Sequence, residues 1–200
     1  MKNKIQIPNK IIIASHNPGK VKEINILLND INVSALPISI FSKIEPIEDG
    51  KNFAQNALIK ARNAKNLSNQ TSLADDSGLC IDELNGDPGI YSARWAGKNK
   101  NFHEAMSIIE KKLINLDNKN AHFICALALV TEKNEEYVFK GKINGTLTFP
   151  PRGRKGFGYD PIFIPENKIL TFGEMAPKQK DLISHRAKAF KQFKESIIVR

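Results

Sequence analysis

The residues best suited to chemistry are two adjacent carboxylates, Asp75 and Asp76, at the end of a short apolar run. Acidic side chains where a strand gives way to a turn are well placed to hold a metal ion or to activate a water molecule. The Gly/Pro-rich stretch GDPGIYSARWAG follows, and its Tyr91 and Trp95 are typical of a packed functional loop, with a structural Ω-loop as the alternative. This pattern predicts an enzyme.

A strand–turn–helix pattern upstream supplies candidate phosphate contacts. The β-branched run KIIIAS ends in the turn HNPG, and apolar residues then recur at helical spacing, which predicts a buried strand and a helix over about residues 19–29. Ser15, Asn17 and Lys20 would lie at the N-terminus of that helix, where free backbone N–H groups favour phosphate. The segment is not a Walker A loop, and a plain connection between strand and helix is an equal alternative.

A second helix is predicted from the N-cap candidate Asn52 to about Asn66, with an apolar stripe that includes Phe53 and Ala57. Lys60 falls near the margin of that stripe. A lysine there either extends its amine to solvent or points into a cleft, and its position alone favours solvent.

The strand that carries the acidic pair is predicted to begin at Ser72. Adjacent strand residues point to opposite faces of a sheet, so only one of Asp75 and Asp76 can easily face a given cleft. We expect the other carboxylate to brace a tight turn at Ser77-Gly78, after which the strand resumes.

The second half of the chain is predicted to hold a helix, an antiparallel hairpin, a short strand and a final helix. The predicted ranges are 102–116 for the helix, 121–130 and 137–143 for the hairpin, and 161–165 for the short strand.

The loop GTLTFPPRGRKGFGYD precedes that short strand. Its Phe157 and Tyr159 are expected to be exposed enough to stack on a planar ligand. Asp160 is placed to accept hydrogen bonds from ring N–H groups. The loop is therefore a candidate site for a planar ring.

The final helix is predicted to begin after the N-cap candidate Ser184, which places His185 and Arg186 in its first turn. Cations there oppose the helix dipole, so another group must favour them. A ligand carbonyl or phosphate would do so.

Composition sets broad limits. The 200 residues suffice for one large domain or two small lobes, and the net charge of +9 points to anionic partners or, equally, to a compositional bias. Cys80 and Cys125 are too far apart in the sequence to form a disulfide scaffold. The sequence shows no secretory signal and no run of roughly 20 apolar residues, which predicts a soluble cytoplasmic protein without membrane contact.

Six motifs, in this order and spacing, resemble the inosine/xanthosine triphosphate pyrophosphatase family, the Ham1-like nucleotide hydrolases. They are SHNPGK, FAQNALIKA, ADDSGL, GDPGIYSARWAG, GFGYDP and KDLISHRA, and together they span essentially residues 10–193. The resemblance implies a single domain over residues 1–200 with a short extension at 1–9. It implies an elongated α/β fold with a mixed sheet, flanking helices and two lobes around a central nucleotide-binding cleft.

The family also implies an activity. It hydrolyses the non-standard purine triphosphates ITP, dITP and XTP to the monophosphate and pyrophosphate, with Mg²⁺, usually as a homodimer. Glu48 and Asp76 match the metal ligands, and Asp76 also matches the general base. The residues that match substrate contacts are Ser15, His16, Asn17, Pro18, Gly19, Lys20, Lys60, Ser77, Phe157, Gly158, Tyr159, Asp160, Lys180, His185 and Arg186.

Two alternatives are open at this stage. A Maf-type nucleotide pyrophosphatase would have a similar cleft with a different base choice, and the SHR and FGYD motifs argue against it. A basic nucleic-acid-binding protein would need clustered cations interleaved with aromatic residues. The lysines of this sequence are scattered, so no stable nucleic-acid partner is expected.

Overall fold

A computed structural model describes residues 4–200, so Met1–Asn3 of the predicted N-terminal extension lie outside the described residues. The strands are β1 (Ile5–Ile7), β2 (Lys10–Ile13), β3 (Ser34–Pro37), β4 (Ser72–Ile81), β5 (Asn120–Val130), β6 (Glu136–Leu147), β7 (Phe163–Pro165) and β8 (Ile197–Val199). The helices are α1 (Pro18–Asn29), α2 (Phe53–Ser68), α3 (Ser92–Trp95), α4 (Phe102–Lys112), α5 (Pro177–Ile183) and α6 (His185–Ser196).

Six of the strands form one mixed sheet in the order β3-β2-β4-β5-β6-β7. Strand β2 pairs in parallel with both β3 and β4, whereas β6 and β7 are antiparallel. The neighbours β5 and β6 are joined only by residues 131–135, which is too short for a parallel crossover, so they form the predicted antiparallel hairpin. The α/β class with a mixed sheet and flanking helices is confirmed.

The chain divides into two compact units. The first unit comprises residues 1–76, 125–141 and 186–200, and the second comprises residues 77–124 and 142–185. Strands β4, β5 and β6 each contribute residues to both units. The single domain over residues 1–200 remains a prediction.

In the first unit, side chains alternate between two apolar cores. Leu73 of β4 and Leu127 of β5 pack in the core that contains the apolar residues of α1 and α6. Their neighbours Ala74 and Ala126 lie in the other core, against three alanines of α2. Because successive strand residues face opposite sides of a sheet, β4 presents consecutive residues to two different sets of helices.

The second unit has a core rich in aromatic rings. Phe123 of β5 lies 4.7 Å from Phe163 of β7 between ring centroids, and Phe163 lies 5.3 Å from Phe172. Buried residues of α4, including Ala105 and Ile109, complete this core.

One local expectation was wrong. Strand β4 runs without interruption through Ser77-Gly78, where a tight turn was predicted, because both residues continue the strand to Ile81. Within the predicted N-terminal extension, residues 5–7 form β1, which pairs in parallel with β8 near the other end of the chain.

Within residues 4–200, no helix is both long enough and apolar enough to cross a membrane.

Candidate functional site

The carboxyl end of β2 is where the strand order reverses. Strand β3 lies on one side of β2 and β4 on the other, while α1 and α2 contribute to different cores of the first unit. In open α/β sheets, ligands bind at such topological switch points, outside the carboxyl ends of the strands. Residues that directly follow β2, and residues of β4 at this level, therefore lie where a ligand is expected to bind.

The turn after β2 is held by its own side chains. Asn17 caps α1, its Oδ1 accepting from the N–H groups of Gly19 at 2.9 Å and Lys20 at 3.2 Å, while Ser15 Oγ accepts from Asn17 N–H at 3.1 Å. The N–H of Val21 also has an acceptor, the Asn17 carbonyl at 3.0 Å. The expectation of free amides at this helix start was wrong, because the cap already occupies them. Phosphate binding here would rest on side chains.

His16 is held beside the same turn. Its Nε2 lies 2.9 Å from the Ser42 carbonyl oxygen, and its Nδ1 lies 3.5 Å from a carboxylate oxygen of Glu45. The ring therefore ties the turn after β2 to the segment that leads towards Glu48. Pro18, at the first helical position, is exposed.

Lys60 bridges the two carboxylates that match the family's metal ligands. Its Nζ lies 2.9 Å from Asp76 Oδ1 and 3.1 Å from Glu48 Oε1, and only 12% of its side chain is exposed. The preference for a solvent-facing Lys60 was wrong, because α2 packs on the face of the sheet to which Asp76 points. Burial acts to lower the pKa of Lys60, but Asp76 and Glu48 outweigh it and raise the pKa.

The loop that carries Glu48 is anchored to α2. The buried side chain of Asn56 accepts a hydrogen bond from Gly50 N–H through Oδ1 at 2.9 Å. A Cβ at Gly50 would lie 2.5 Å from that same oxygen, so the close approach requires glycine. Asn52 caps α2 as predicted, accepting from Gln55 N–H at 3.0 Å.

Asp76 keeps one oxygen open. The residue is only 6% exposed, and its Oδ2 has no hydrogen-bond partner among residues 4–200. Burial raises the pKa of Asp76, with Glu48 adding to the rise and Lys60 and Lys20 opposing it. A buried acceptor without a partner is costly unless a ligand completes it.

Asp75 makes its direct contacts with other side chains than Asp76 does. Lys20 Nζ lies 2.6 Å from its Oδ1, Arg186 donates to both carboxylate oxygens at 3.3 Å, and the Cys125 thiol donates to Oδ2 at 2.9 Å. Burial would raise the pKa of Asp75, but Arg186 and Lys20 outweigh it and hold that pKa well below its usual range. One of the two carboxylates was expected to brace a turn, but Asp75 does not do so. It pairs with two cations.

The position of Arg186 at the start of α6 now has a physical reason. Two carboxylates, Asp75 and Glu23, both pair with its guanidinium, which is 1% exposed. They offset the unfavourable helix dipole that the sequence had led us to assign to a ligand. Glu23 was missed, although its spacing of three residues from Lys20 on α1 places both on one helix face.

In the second unit, Lys180 and Asp160 form a buried ion pair. Lys180 Nζ lies 2.7 Å from Asp160 Oδ2, which also accepts from Phe157 N–H at 2.8 Å. The ammonium lies 4.8 Å from the centroid of the half-buried Phe157 ring. Gly158, with φ at +68°, adopts the left-handed conformation that favours glycine. Because Asp160 joins Lys180 to the backbone of Phe157, the lysine holds the loop that carries the Phe157 ring.

Tyr159 is not the exposed ring that the sequence suggested. It is 3% exposed, its hydroxyl donates to the Ser92 carbonyl at 2.9 Å, and its ring meets Phe102 edge to face. These contacts anchor the loop to the core of the second unit. Phe157 alone remains a candidate for stacking.

His185 is buried against an aromatic partner. Its ring stacks on Phe123 with centroids 4.8 Å apart and planes 12° apart. Phe123 was also missed, and no local signal identified it, since the contact joins β5 to the start of α6.

The predicted residues thus fall into two groups. The first unit holds Ser15, His16, Asn17, Pro18, Gly19, Lys20, Glu48, Lys60, Asp76 and Arg186, and the second holds Ser77, Phe157, Gly158, Tyr159, Asp160, Lys180 and His185. Ser77 follows Asp76 directly in β4. The fold and these groups define an α/β protein in which each unit holds buried cations paired with carboxylates.

The chain belongs to the Ham1 family, whose model matches residues 11–196. It is 48% identical over 190 residues to a dITP/XTP pyrophosphatase of Caulobacter vibrioides, a match that covers 94% of this chain and 97% of the relative. The family predicted from the six motifs is confirmed.

Solved structures of similar proteins have the same fold as this chain. A HAM1 protein from Coxiella burnetii superposes with a TM-score of 0.84 at 37% identity, covering 93% of this chain and 96% of that chain. A nucleoside-triphosphatase and dITP/XTP pyrophosphatase from Mycobacterium abscessus gives a TM-score of 0.75 at 37% identity, covering 92% and 98%.

The buried pair in the second unit generates a stability prediction. Lys180→Met should lower the free energy of unfolding by about 3–5 kcal/mol, because it leaves Asp160 buried without its cation. Chemical denaturation would measure this. The matched control is Lys178→Met on the exposed side of α5, which should stay within about 0.5 kcal/mol of the wild type. Equal stability of the two variants would contradict the role given to the pair.

Proposed function

We propose that this chain hydrolyses the non-standard purine triphosphates ITP, dITP and XTP to the monophosphate and pyrophosphate, and so keeps deaminated purines out of DNA and RNA. The observation that carries this proposal is Asp76, a buried carboxylate with an open oxygen, held beside Lys60 at the switch point of the sheet. The near full-length similarity to dITP/XTP pyrophosphatases supports the choice of reaction.

The phosphate chain would be bound from the turn after β2. A triphosphate is strongly anionic, so attack by water requires cations that screen its charge. Lys20 and Lys60 supply such cations, and the side chains of Ser15 and Asn17 supply polar contacts at the start of α1. We also assign Lys180 to the substrate, on its match to the family motif KDLISHRA.

We assign the metal site to Glu48 and Asp76 and the metal to Mg²⁺. No group of three or more metal-ligating side chains converges anywhere in the described part of the chain. Two carboxylates suffice for Mg²⁺, which is usually held by one or two carboxylates together with substrate phosphates. The open Oδ2 of Asp76 and the Glu48 carboxylate, both close to one lysine amine, fit that donor set. A metal bound there would polarise the phosphorus that water attacks.

Asp76 would also act on the attacking water. Its carboxylate can orient a water molecule or accept its proton, the part that a positioned acid–base group plays in hydrolysis. Lys60 donates to Oδ1, which leaves Oδ2 for the water molecule.

Base selection would rest on donors that face O6 of the purine. Adenine carries an amino group at that position and would leave such donors unpaired, which is a strong basis for rejection. His185 and Arg186 are the donors that we assign to O6, and Phe157 is the ring that we assign to stacking on the base.

The first test is product analysis with Mg²⁺ and ITP, dITP, XTP, ATP, GTP and dTTP side by side. Monophosphate and pyrophosphate should appear from the first three nucleotides, because all three present O6 to the base donors. GTP also carries O6, so its rejection would require a contact to its 2-amino group. Release of inorganic phosphate in place of pyrophosphate, or turnover mainly of dTTP, would contradict the proposal.

A second test addresses Asp76. Asp76→Asn should lower kcat by at least about a hundredfold, the usual contribution of a positioned acid–base group. It should also abolish any rise in melting temperature that Mg²⁺ gives the wild-type protein, a readout that does not need turnover. Asp49→Asn, an exposed acid on the Glu48 loop, is the control and should behave like the wild type. Wild-type turnover in Asp76→Asn would remove Asp76 from the reaction.

We further propose that the protein acts as a homodimer in the cytoplasm, where nucleotide pools are held. We assign the interface to the segment after β3, which exposes 79% of Ile44 and 84% of Ile47. Sedimentation should give twice the chain mass, and Ile44→Glu together with Ile47→Glu should weaken the association. A monomer at all concentrations would contradict the dimer.

A further inference from the structure

The carboxylate of Asp75 joins two cations that come from different helices. Lys20 belongs to the first turn of α1 and Arg186 to the first turn of α6, yet both contact the same side chain of β4. The Asp75 side chain is 0% exposed and both of its oxygens already accept hydrogen bonds from the protein, so it offers no free group to an anionic ligand. Any effect of Asp75 on a reaction must pass through the groups that it holds.

The contacts leave the carboxylate little freedom. One oxygen lies 2.6 Å from Lys20 Nζ, the other accepts from the Cys125 thiol at 2.9 Å, and the guanidinium of Arg186 reaches both oxygens at 3.3 Å. A side chain with this many partners has a single orientation, and it imposes that orientation on its partners.

We infer that Asp75 is a positioning residue that sets the Lys20 ammonium for the triphosphate and the Arg186 guanidinium for the purine base. This inference rests on the proposed function. It gives the first acid of the ADDSGL motif a task different from that of the second, since Asp76 faces α2 and Lys60 while Asp75 faces α1 and α6.

A role in positioning and a role in charge balance predict opposite results. Removing the negative charge of Asp75 makes its surroundings more positive, so simple electrostatics predicts tighter binding of an anionic nucleotide. Loss of positioning predicts weaker binding, because Lys20 and Arg186 would no longer be held in one geometry. Displacing a contact group by about 1 Å can cost about a hundredfold in rate.

The test uses Asp75→Asn, which keeps the shape of the side chain. We expect KM for ITP to rise by about tenfold or more and the ratio of kcat/KM for ITP over ATP to fall. The Mg²⁺ concentration for half-maximal activity should stay unchanged. Leu73→Val is the matched control, since Leu73 lies on the same face of β4 but contacts neither cation through a polar group; its ITP/ATP ratio should equal that of the wild type.

Three results would overturn the inference. A lower or unchanged KM in folded Asp75→Asn would limit Asp75 to charge balance, and a changed Mg²⁺ requirement would make it a metal ligand. A similar loss of ITP/ATP selectivity in Leu73→Val would reduce the effect to general destabilisation. If Asp75→Asn does not fold, Asp75→Glu keeps the charge but displaces the carboxylate, and the same shifts in KM and selectivity are expected. Failure of the proposed function would instead appear in the wild-type protein, as no turnover of ITP, dITP or XTP.

Discussion

The alternation of side chains along β4 is the constraint on which the rest of the first unit depends. Two consecutive carboxylates on one face would repel each other and raise each other's pKa. Because β4 runs straight through this position, Asp75 and Asp76 are sent to opposite faces, and each meets its own helices and cations. The continuation of β4 beyond the turn that we had expected is what keeps the two acids apart.

The two acids also differ in how completely they are satisfied. Asp75 is surrounded by donors from Lys20, Arg186 and Cys125, so the cost of burying its charge is offset within the protein. Asp76 is nearly as buried, but only its Oδ1 has a partner among the described residues, namely Lys60. A fully paired carboxylate rigidifies its surroundings, whereas one with an open oxygen is prepared for a ligand.

The sequence predicted correctly those features that depend only on residues close together in the chain. The Asn52 cap and the start of α2 depend on neighbouring residues only, and both appear as expected. Lys60 and Tyr159 were placed wrongly because their surroundings come from distant segments: β4 supplies the carboxylate for Lys60, and Ser92 supplies the acceptor for Tyr159. For the same reason, the sequence could name Asp75 but not the cations that it joins, one of them 111 residues away. The motifs identified the family and the fold class, since ordered spacing carries information that single residues lack.

The burial of individual cations, and not the net positive charge of the chain, identifies the candidate functional residues. A net charge of +9 spread over scattered lysines does not locate a site. Four cations are largely removed from solvent: Lys20, Lys60, Lys180 and Arg186. The side chain of Lys20 is 15% exposed and that of Lys60 is 12% exposed. Each is paired with at least one carboxylate, because an unpaired buried charge would be too costly. Within the first unit, the carboxylates of Asp75, Asp76 and Glu23 therefore already neutralise much of the charge of Lys20, Lys60 and Arg186.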